Sequence, residues 1–315
     1  MADRFLIADI GATHSRFALA DGELVVSEVL RLATSEHDDA ESLIAAARDG
    51  LGFVRLDGCC IAMAGPVQDG RGAVTNATLA LDRDDLSERL GCPSVVVNDF
   101  FALAHAVPEL KRLQQIGGDK HPEGVKVLLG PGSGLGMSVL IEPGDGQMLV
   151  LPSEGGHADL APASPLELEV LQILGDRLPH VTWESVLSGP GLVNLYSALC
   201  AIWGVEQENV TAEWVTAQGV NVDEPICHQV LELFFGFLGS AAGNLALTVC
   251  AQGGVYIGGG IVPAIVRSNP DFAATSPLRR RFEERGRLTD YAASIPLKVI
   301  LDEDPGLLGA LACLP

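Results

Sequence analysis

Basic residues are scarce in this chain: Lys and Arg number 20 against 41 Asp and Glu, a formal net charge of −21 at pH 7. Such a surface repels phosphate backbones and anionic lipid that come within about a Debye length, so neither nucleic acid nor a membrane surface is expected as a partner. No C-x-x-C pair occurs among Cys59, Cys60, Cys92, Cys200, Cys227, Cys250 and Cys313. An odd set of cysteines without that spacing argues against both a disulfide scaffold and a zinc site. The first ten residues, MADRFLIADI, lack the apolar core and small-residue cleavage site of a secretory signal, so a reducing, cytoplasmic location is expected. Neither G-x-G-x-x-G nor a Walker A sequence is present, which removes the usual dinucleotide fingerprint and the P-loop. No low-complexity linker divides the chain.

What is present is an apolar chain, 48% hydrophobic, with 36 glycines and 18 prolines scattered between apolar runs. That composition excludes disorder, collagen and coiled coil, and 315 residues favour two lobes or one large α/β unit. Leu233 to Ala251 carries no charge and is long enough to span a bilayer. Its glycines, Ser240 and Asn244, and flanks without nearby Lys or Arg, favour a buried core helix instead.

Apolar runs at Arg4–Ile10 and Ser15–Ala20 flank a glycine turn, and a third run from Leu24 to Leu32 follows Asp21-Gly22. The same plan returns at Val125–Leu129, GPGSGLG, Met137–Ile141 and Met148–Leu151. Recurrence at a separation of about 120 residues predicts a duplicated α/β unit with two facing turns. Helices are predicted at Ala40–Arg48, Asp82–Leu90, Phe100–Leu110, from Ser164-Pro165 to Gly175, from Gly191, from Thr211, through the long apolar segment and from Pro305. Buried strands are predicted at Cys59–Ala64, Pro93–Val97, Gly254–Ile257 and Leu297–Leu301.

In the first turn, DIGATHSR, Asp9 closes a strand, Gly11 makes the bend and Thr13 adds a hydroxyl. An acid there can hold hydrated Mg²⁺ while turn amides meet phosphate oxygens, although a plain hairpin uses the same residues to satisfy its own amides. Gly132, Ser133 and Gly134 repeat that chemistry in the second half, and Gly258-Gly259-Gly260 offers a third close backbone approach, suited to a nucleoside. Asn98 and Asp99 follow a buried strand at the position where functional side chains emerge from open α/β sheets, or where a helix is simply capped. Glu154 and His157 in SEGGH, and Glu184 before SGPG, form a second polar group. Carboxylates suit sugar hydroxyls because each accepts two O–H bonds.

Taken in order, LIADIGATHSR, CIAMAGPV, VTNATLAL, VVVNDFFALA, GPGSGLG, LPSEGGHADLAP, ESVLSGPGLVNLY, GNLAL, YIGGGIVP and DEDPGLLGA span nearly the whole length. With these landmarks the chain resembles the bacterial glucokinase family, in the hexokinase/actin/Hsp70-type ATPase superfamily. The cysteine-containing zinc motif of the related ROK sugar kinases is absent. The resemblance implies a two-lobed actin-like, ribonuclease H-like α/β fold with an inter-lobe cleft, a smaller lobe of 1–110 joined by the C-terminal helix 305–315, and a larger lobe of 111–304. It implies transfer of the ATP γ-phosphoryl group to the glucose 6-hydroxyl with Mg²⁺, as in glycolysis, by a cytoplasmic homodimer. By matching motif, Asn76, Asn98, Asp99, Glu154, His157 and Glu184 would hold the sugar, with Asp99 also the general base. Asp9, Gly11, Ala12, Thr13, Gly132, Ser133 and Gly134 would cradle phosphates and Mg²⁺, the metal reached from Asp9 through water, and Gly259 and Gly260 would meet the nucleoside. Ala12 and His14 stand where the family has Gly and Asn, and Ser133 replaces Thr. The Ala12 methyl matters only if that residue needs positive φ. Alternatives are a kinase for another hexose, a catalytically silent sugar- or ATP-binding regulator, and ADP or polyphosphate as donor.

Overall fold

In the computed structural model the described residues are all except 1–3, 75–78, 120–122, 145 and 221–223. The order begins β1 (Phe5–Ile10), β2 (His14–Ala20), β3 (Leu30–Ala33), α1 (Ala40–Leu51), β4 (Gly58–Met63). Three short strands, β5 (Val67–Gln68), β6 (Arg71–Ala73) and β7 (Ala80–Asp82), precede α2 (Arg83–Leu90), β8 (Ser94–Asn98) and α3 (Asp99–Ala106). Then come β9 (Leu113–Gln115), β10 (Lys126–Pro131), β11 (Leu135–Ile141), β12 (Leu149–Ser153), α4 (Pro165–Gly175), α5 (Gly189–Trp203), α6 (Ala212–Gly219) and α7 (Pro225–Val249). The last elements are β13 (Gly254–Ile257), α8 (Ile261–Ser268), α9 (Phe272–Thr275), α10 (Leu278–Glu283), α11 (Thr289–Ser294), β14 (Leu297–Ile300) and α12 (Pro305–Ala312). Two compact units result: Met1–Lys111 with Val150–Pro152 and Asp302–Pro315, and Arg112–Leu149 with Ser153–Leu301.

The first unit is built on a sheet of order β3-β2-β1-β4-β8. All six residues of β4, GCCIAM, are buried, as expected of a strand with parallel neighbours on both sides. Its helices start and stop where local chemistry says they should. The Asp39 side chain accepts the Ser42 N–H at 2.8 Å to open α1, and Gly52, at φ +66°, closes it. Asp82 and Gly91 do the same for α2. Helix α12 packs on α3 and on β1, with Leu307 and Ala310 in a core shared with Ile7 and Ala102. Gly309 permits this approach, because any Cβ there would overlap the Ala102 carbonyl.

The second unit carries the strands β11-β10-β13-β14-β9 in that order. β10, β13 and β14 are parallel, and β11 and β9 run antiparallel to them. Helix α7 is long and apolar enough to cross a membrane, and 78% of its most apolar window is buried inside the protein. Gly239 and Gly243 lie against α10 and the chain just after it: a Cβ on the former would overlap the Leu278 carbonyl, and on the latter the Arg285 guanidinium. The small-residue pair therefore works as close helix packing, as expected of a core helix.

Three sequence expectations shift. The run from Leu24 to Leu32 is strand only from Leu30, because the Ser27 hydroxyl, in place of a backbone carbonyl, accepts the Leu19 N–H at 2.8 Å. The helix expected over Phe100–Leu110 ends at Ala106, and Val107–Glu109, containing Pro108, is a 3₁₀ turn. Ser164 caps α4 as expected, accepting the Glu167 N–H at 3.2 Å, but Glu167 reaches back one residue further, to the Ala163 N–H at 2.7 Å.

Candidate active site

The turn between β1 and β2 is closed by the Gly11 N–H donating to His14 O at 3.0 Å. Thr34 braces it from β3's end: its hydroxyl donates to Gly11 O at 2.8 Å and its N–H donates to Thr13 O at 3.0 Å. Among the described residues only Asp69 and Cys250 combine a side chain with positive φ, so Ala12 sits in ordinary backbone and its methyl brings no strain. It packs at the margin of the first unit's core, while Thr13 and His14 are exposed.

Asp9 and Arg16 are cross-strand partners in the β1–β2 register, and their side chains meet at 3.1 Å. Arg16 also reaches Asp304 at 3.2 Å, and both oxygens of Asp304 accept from Arg31, at 2.8 and 2.9 Å. Burial pushes the Asp9 carboxyl above its ordinary value; the Arg16 guanidinium pulls the other way, and Asp304 adds a smaller upward push. Gly306, near the start of α12, lies directly over this carboxylate, since a Cβ there would be 2.6 Å from Asp9 Oδ2. No group of three or more His, Cys, Asp or Glu suited to a metal occurs among the described residues. A part-buried carboxylate paired with one arginine fits Mg²⁺ that arrives with phosphate and water ligands of its own, rather than a protein-built cage.

Asn98 and Asp99 stand at the β8–α3 junction of the same unit. The Asn98 Oδ1 caps α3, accepting the Phe100 and Phe101 N–H groups at 2.9 and 3.0 Å. Its Nδ2 donates to Gly65 O and to Asp99 Oδ1, both at 3.0 Å. Both amide hydrogens are thus committed, one of them to orienting the neighbouring carboxylate, which also accepts the Phe100 N–H at 2.9 Å. Capping and positioning coexist in one side chain. Asn76 lies outside the described residues.

The other expected residues gather in the second unit. In the β10–β11 turn the Gly132 N–H donates to Gly134 O at 2.8 Å, and Ser133 is exposed. Beside it, the Gly258 N–H donates to Leu129 O at 3.0 Å. Gly259, at φ +78°, presses so close to Gly130 and Pro131 that a Cβ would overlap the Pro131 carbonyl. Gly259 and Gly260 are exposed. Glu184 and His157 lie next to each other, with carboxylate Oε1 3.9 Å from Nε2. Glu154 is exposed at the head of the 3₁₀ turn Gly155–His157, where its carbonyl accepts the His157 N–H. The site residues therefore form two sets: Asp9, Gly11, Ala12, Thr13, Asn98 and Asp99 in the first unit, and Gly132–Gly134, Glu154, His157, Glu184, Gly259 and Gly260 in the second.

A family model described as Glucokinase matches residues 6–315. The chain belongs to the glucokinase family. Curated glucokinase from Aromatoleum aromaticum is 43% identical, the alignment covering 98% of this chain and 94% of that one. The crystal structure of glucokinase from an Antarctic psychrotroph superposes with a TM-score of 0.80 at 30% identity, covering 99% of both chains. Glucokinase from Balamuthia mandrillaris, crystallised in complex with glucose, gives a TM-score of 0.80 at 25% identity over 98% of this chain and 92% of that one. The fold is thus the two-lobed α/β sugar-kinase fold of the actin-like ATPase superfamily.

Around these residues, sequence reasoning passed over Arg16, Asp304, Gly306 and the bond from the Leu135 N–H to Glu184. Arg16 had a signal: once Gly11 is the bend of a hairpin, position 16 falls opposite Asp9. Asp304 and Gly306 lie in the DEDPGLLGA landmark, but nothing in the sequence places them beside Asp9, since only the docking of α12 brings them to β1.

Proposed function

We propose that this chain transfers the γ-phosphoryl group of ATP to the 6-hydroxyl of glucose, giving glucose 6-phosphate and ADP. Family membership over residues 6–315, with curated relatives named glucokinase at 39 to 43% identity, supports the reaction and ATP as donor. The observation that carries the mechanism is the Asp99 carboxylate, held at the start of α3 by Asn98 and the Phe100 N–H.

Phosphoryl transfer passes through a loose transition state, so alignment and charge neutralisation do most of the work and a carboxylate is base enough. Asp99 orients the sugar hydroxyl and takes its proton as the bond to phosphorus forms. Asn98 fixes Asp99, and Glu154, His157 and Glu184 receive the other hydroxyls, with Asn76 completing the wall. Gly11, Ala12 and Thr13, and Gly132, Ser133 and Gly134, present amides and hydroxyls to phosphate oxygens, while Gly259 and Gly260 admit the nucleoside. Mg²⁺ carried by the nucleotide would neutralise phosphate charge, with Asp9 holding it through water. The two compact units, Met1–Lys111 with Val150–Pro152 and Asp302–Pro315, and Arg112–Leu149 with Ser153–Leu301, serve as the two lobes, in place of the expected division into 1–110 with 305–315 and 111–304. A cytoplasmic homodimer that engages neither nucleic acid nor membrane completes the reading, consistent with the net charge of −21.

A hexose panel tests this. With ATP and Mg²⁺, coupled detection of ADP should give glucose the highest kcat/KM, by about tenfold or more over mannose, fructose and N-acetylglucosamine. A higher value for any of those three would replace glucose as the substrate, and no sugar-dependent ADP release would remove the kinase reading.

A further inference from the structure

Glu184 uses its two carboxylate oxygens on different neighbours. Oε1 faces His157 Nε2 at 3.9 Å, on the side assigned to sugar. Oε2 accepts the Leu135 N–H at 2.8 Å, the first amide after Gly134. The contact is close enough that a Cβ on Gly134 would overlap that same oxygen. Nor is it isolated. The Glu184 N–H donates to Gly156 O at 2.9 Å, its carbonyl accepts the Ser188 hydroxyl at 2.8 Å, and the Gly189 N–H donates to Gly132 O at 2.8 Å. Gly156 in turn has no room for a side chain, because a Cβ would overlap the Leu135 carbonyl. Residues 184–189 thus clasp the Gly132–Gly134 turn at both ends, and the N–H groups of Ser133 and Gly134 have no protein acceptor among the described residues.

We propose that Glu184 is a positioning residue for the nucleotide-binding turn as well as a sugar ligand, so that one carboxylate couples sugar occupancy to the shape of the phosphate cradle. This rests on the assignment of the Gly132–Gly134 turn to nucleotide and of Glu184 to sugar. Without the Oε2 bond the Leu135 amide is released and the turn explores other conformations, so nucleotide binding must re-form it. Coupling of this kind is reciprocal: whatever a bound sugar does to nucleotide affinity through Glu184, nucleotide does to sugar affinity. A side chain that served sugar alone would leave nucleotide binding in the absence of sugar untouched.

The experiment is titration of Mg-ATP into the full-length protein without sugar, for the unsubstituted chain, Glu184→Ala and Glu184→Gln. Glu184→Ala should weaken ATP binding about tenfold, the loss expected for one hydrogen bond to a charged group. Glu184→Gln keeps an acceptor at Oε1 of the amide and should hold ATP within about twofold of the unsubstituted chain, while glucose binding falls with the lost charge. Gly134→Ala, on the opposite partner, should weaken glucose binding measured without nucleotide. Equal ATP affinity in the unsubstituted chain and in folded Glu184→Ala overturns the coupling alone, as does unchanged glucose affinity in Gly134→Ala. Failure of ATP to bind the unsubstituted chain overturns the assignment beneath it.

Discussion

Asp99→Asn is expected to lower kcat by about 10² to 10⁴-fold, the range for removing a positioned general base, while glucose affinity changes little. The substitution isolates basicity. The asparagine Oδ1 can still accept from the Phe100 N–H and from Asn98 Nδ2, the two bonds that hold the native carboxylate at 2.9 and 3.0 Å. The α3 cap is supplied by Asn98 and not by residue 99, so helix and site should keep their form. What disappears is the pair of electrons able to take a proton as the sugar oxygen attacks. Steady-state kinetics beside glucose titration separates the two effects. Turnover near the unsubstituted level would take Asp99 out of the reaction, and loss of glucose binding with turnover per bound sugar intact would make it a ligand only.

Gly306→Ala is expected to cost about 10²-fold in kcat/KM, the scale associated with an ångström of misplacement at a reacting group. The added methyl would meet Asp9 Oδ2 at 2.6 Å and Cγ at 2.7 Å, so something must give. Helix α12 is poorly able to retreat, because Leu307 and Ala310 are buried against Ile7 and Ala102, and Gly309 already touches the Ala102 backbone. Asp9, joined to Arg16 by one contact at 3.1 Å, is the softer partner. Its carboxylate should swing away from the first turn, raising the Mg-ATP requirement while glucose affinity holds. Kinetics at varied Mg-ATP with a thermal melt as a folding control checks this, and unchanged kinetics in a folded variant would detach Asp9 from the nucleotide.

Much of this was readable from the chain because its signals are local. Strand, glycine turn and strand in each half, the Ser164 cap, and the Pro305 helix start depend on residues within a few positions of one another. The limits are equally physical. Leu24–Val29 looked extended until a serine hydroxyl took a strand N–H, and the two- and three-residue strands β5 and β6 are too short to show a period. At the site, the acids were visible as residue types, yet their division of labour was not. That Asn98 spends both amide hydrogens within the protein, that Glu184 holds Leu135, and that Gly306 covers Asp9 are consequences of tertiary packing.

The central claim is that one phosphoryl group moves from nucleotide to a single sugar oxygen. Phosphorus NMR of the protein mixed with ATP, Mg²⁺ and glucose labelled with carbon-13 at C6 tests it directly. The expected spectrum shows glucose 6-phosphate rising in step with ADP, with phosphorus coupled to the labelled carbon. ADP accompanied by inorganic phosphate, or a sugar phosphate without that coupling, would contradict it.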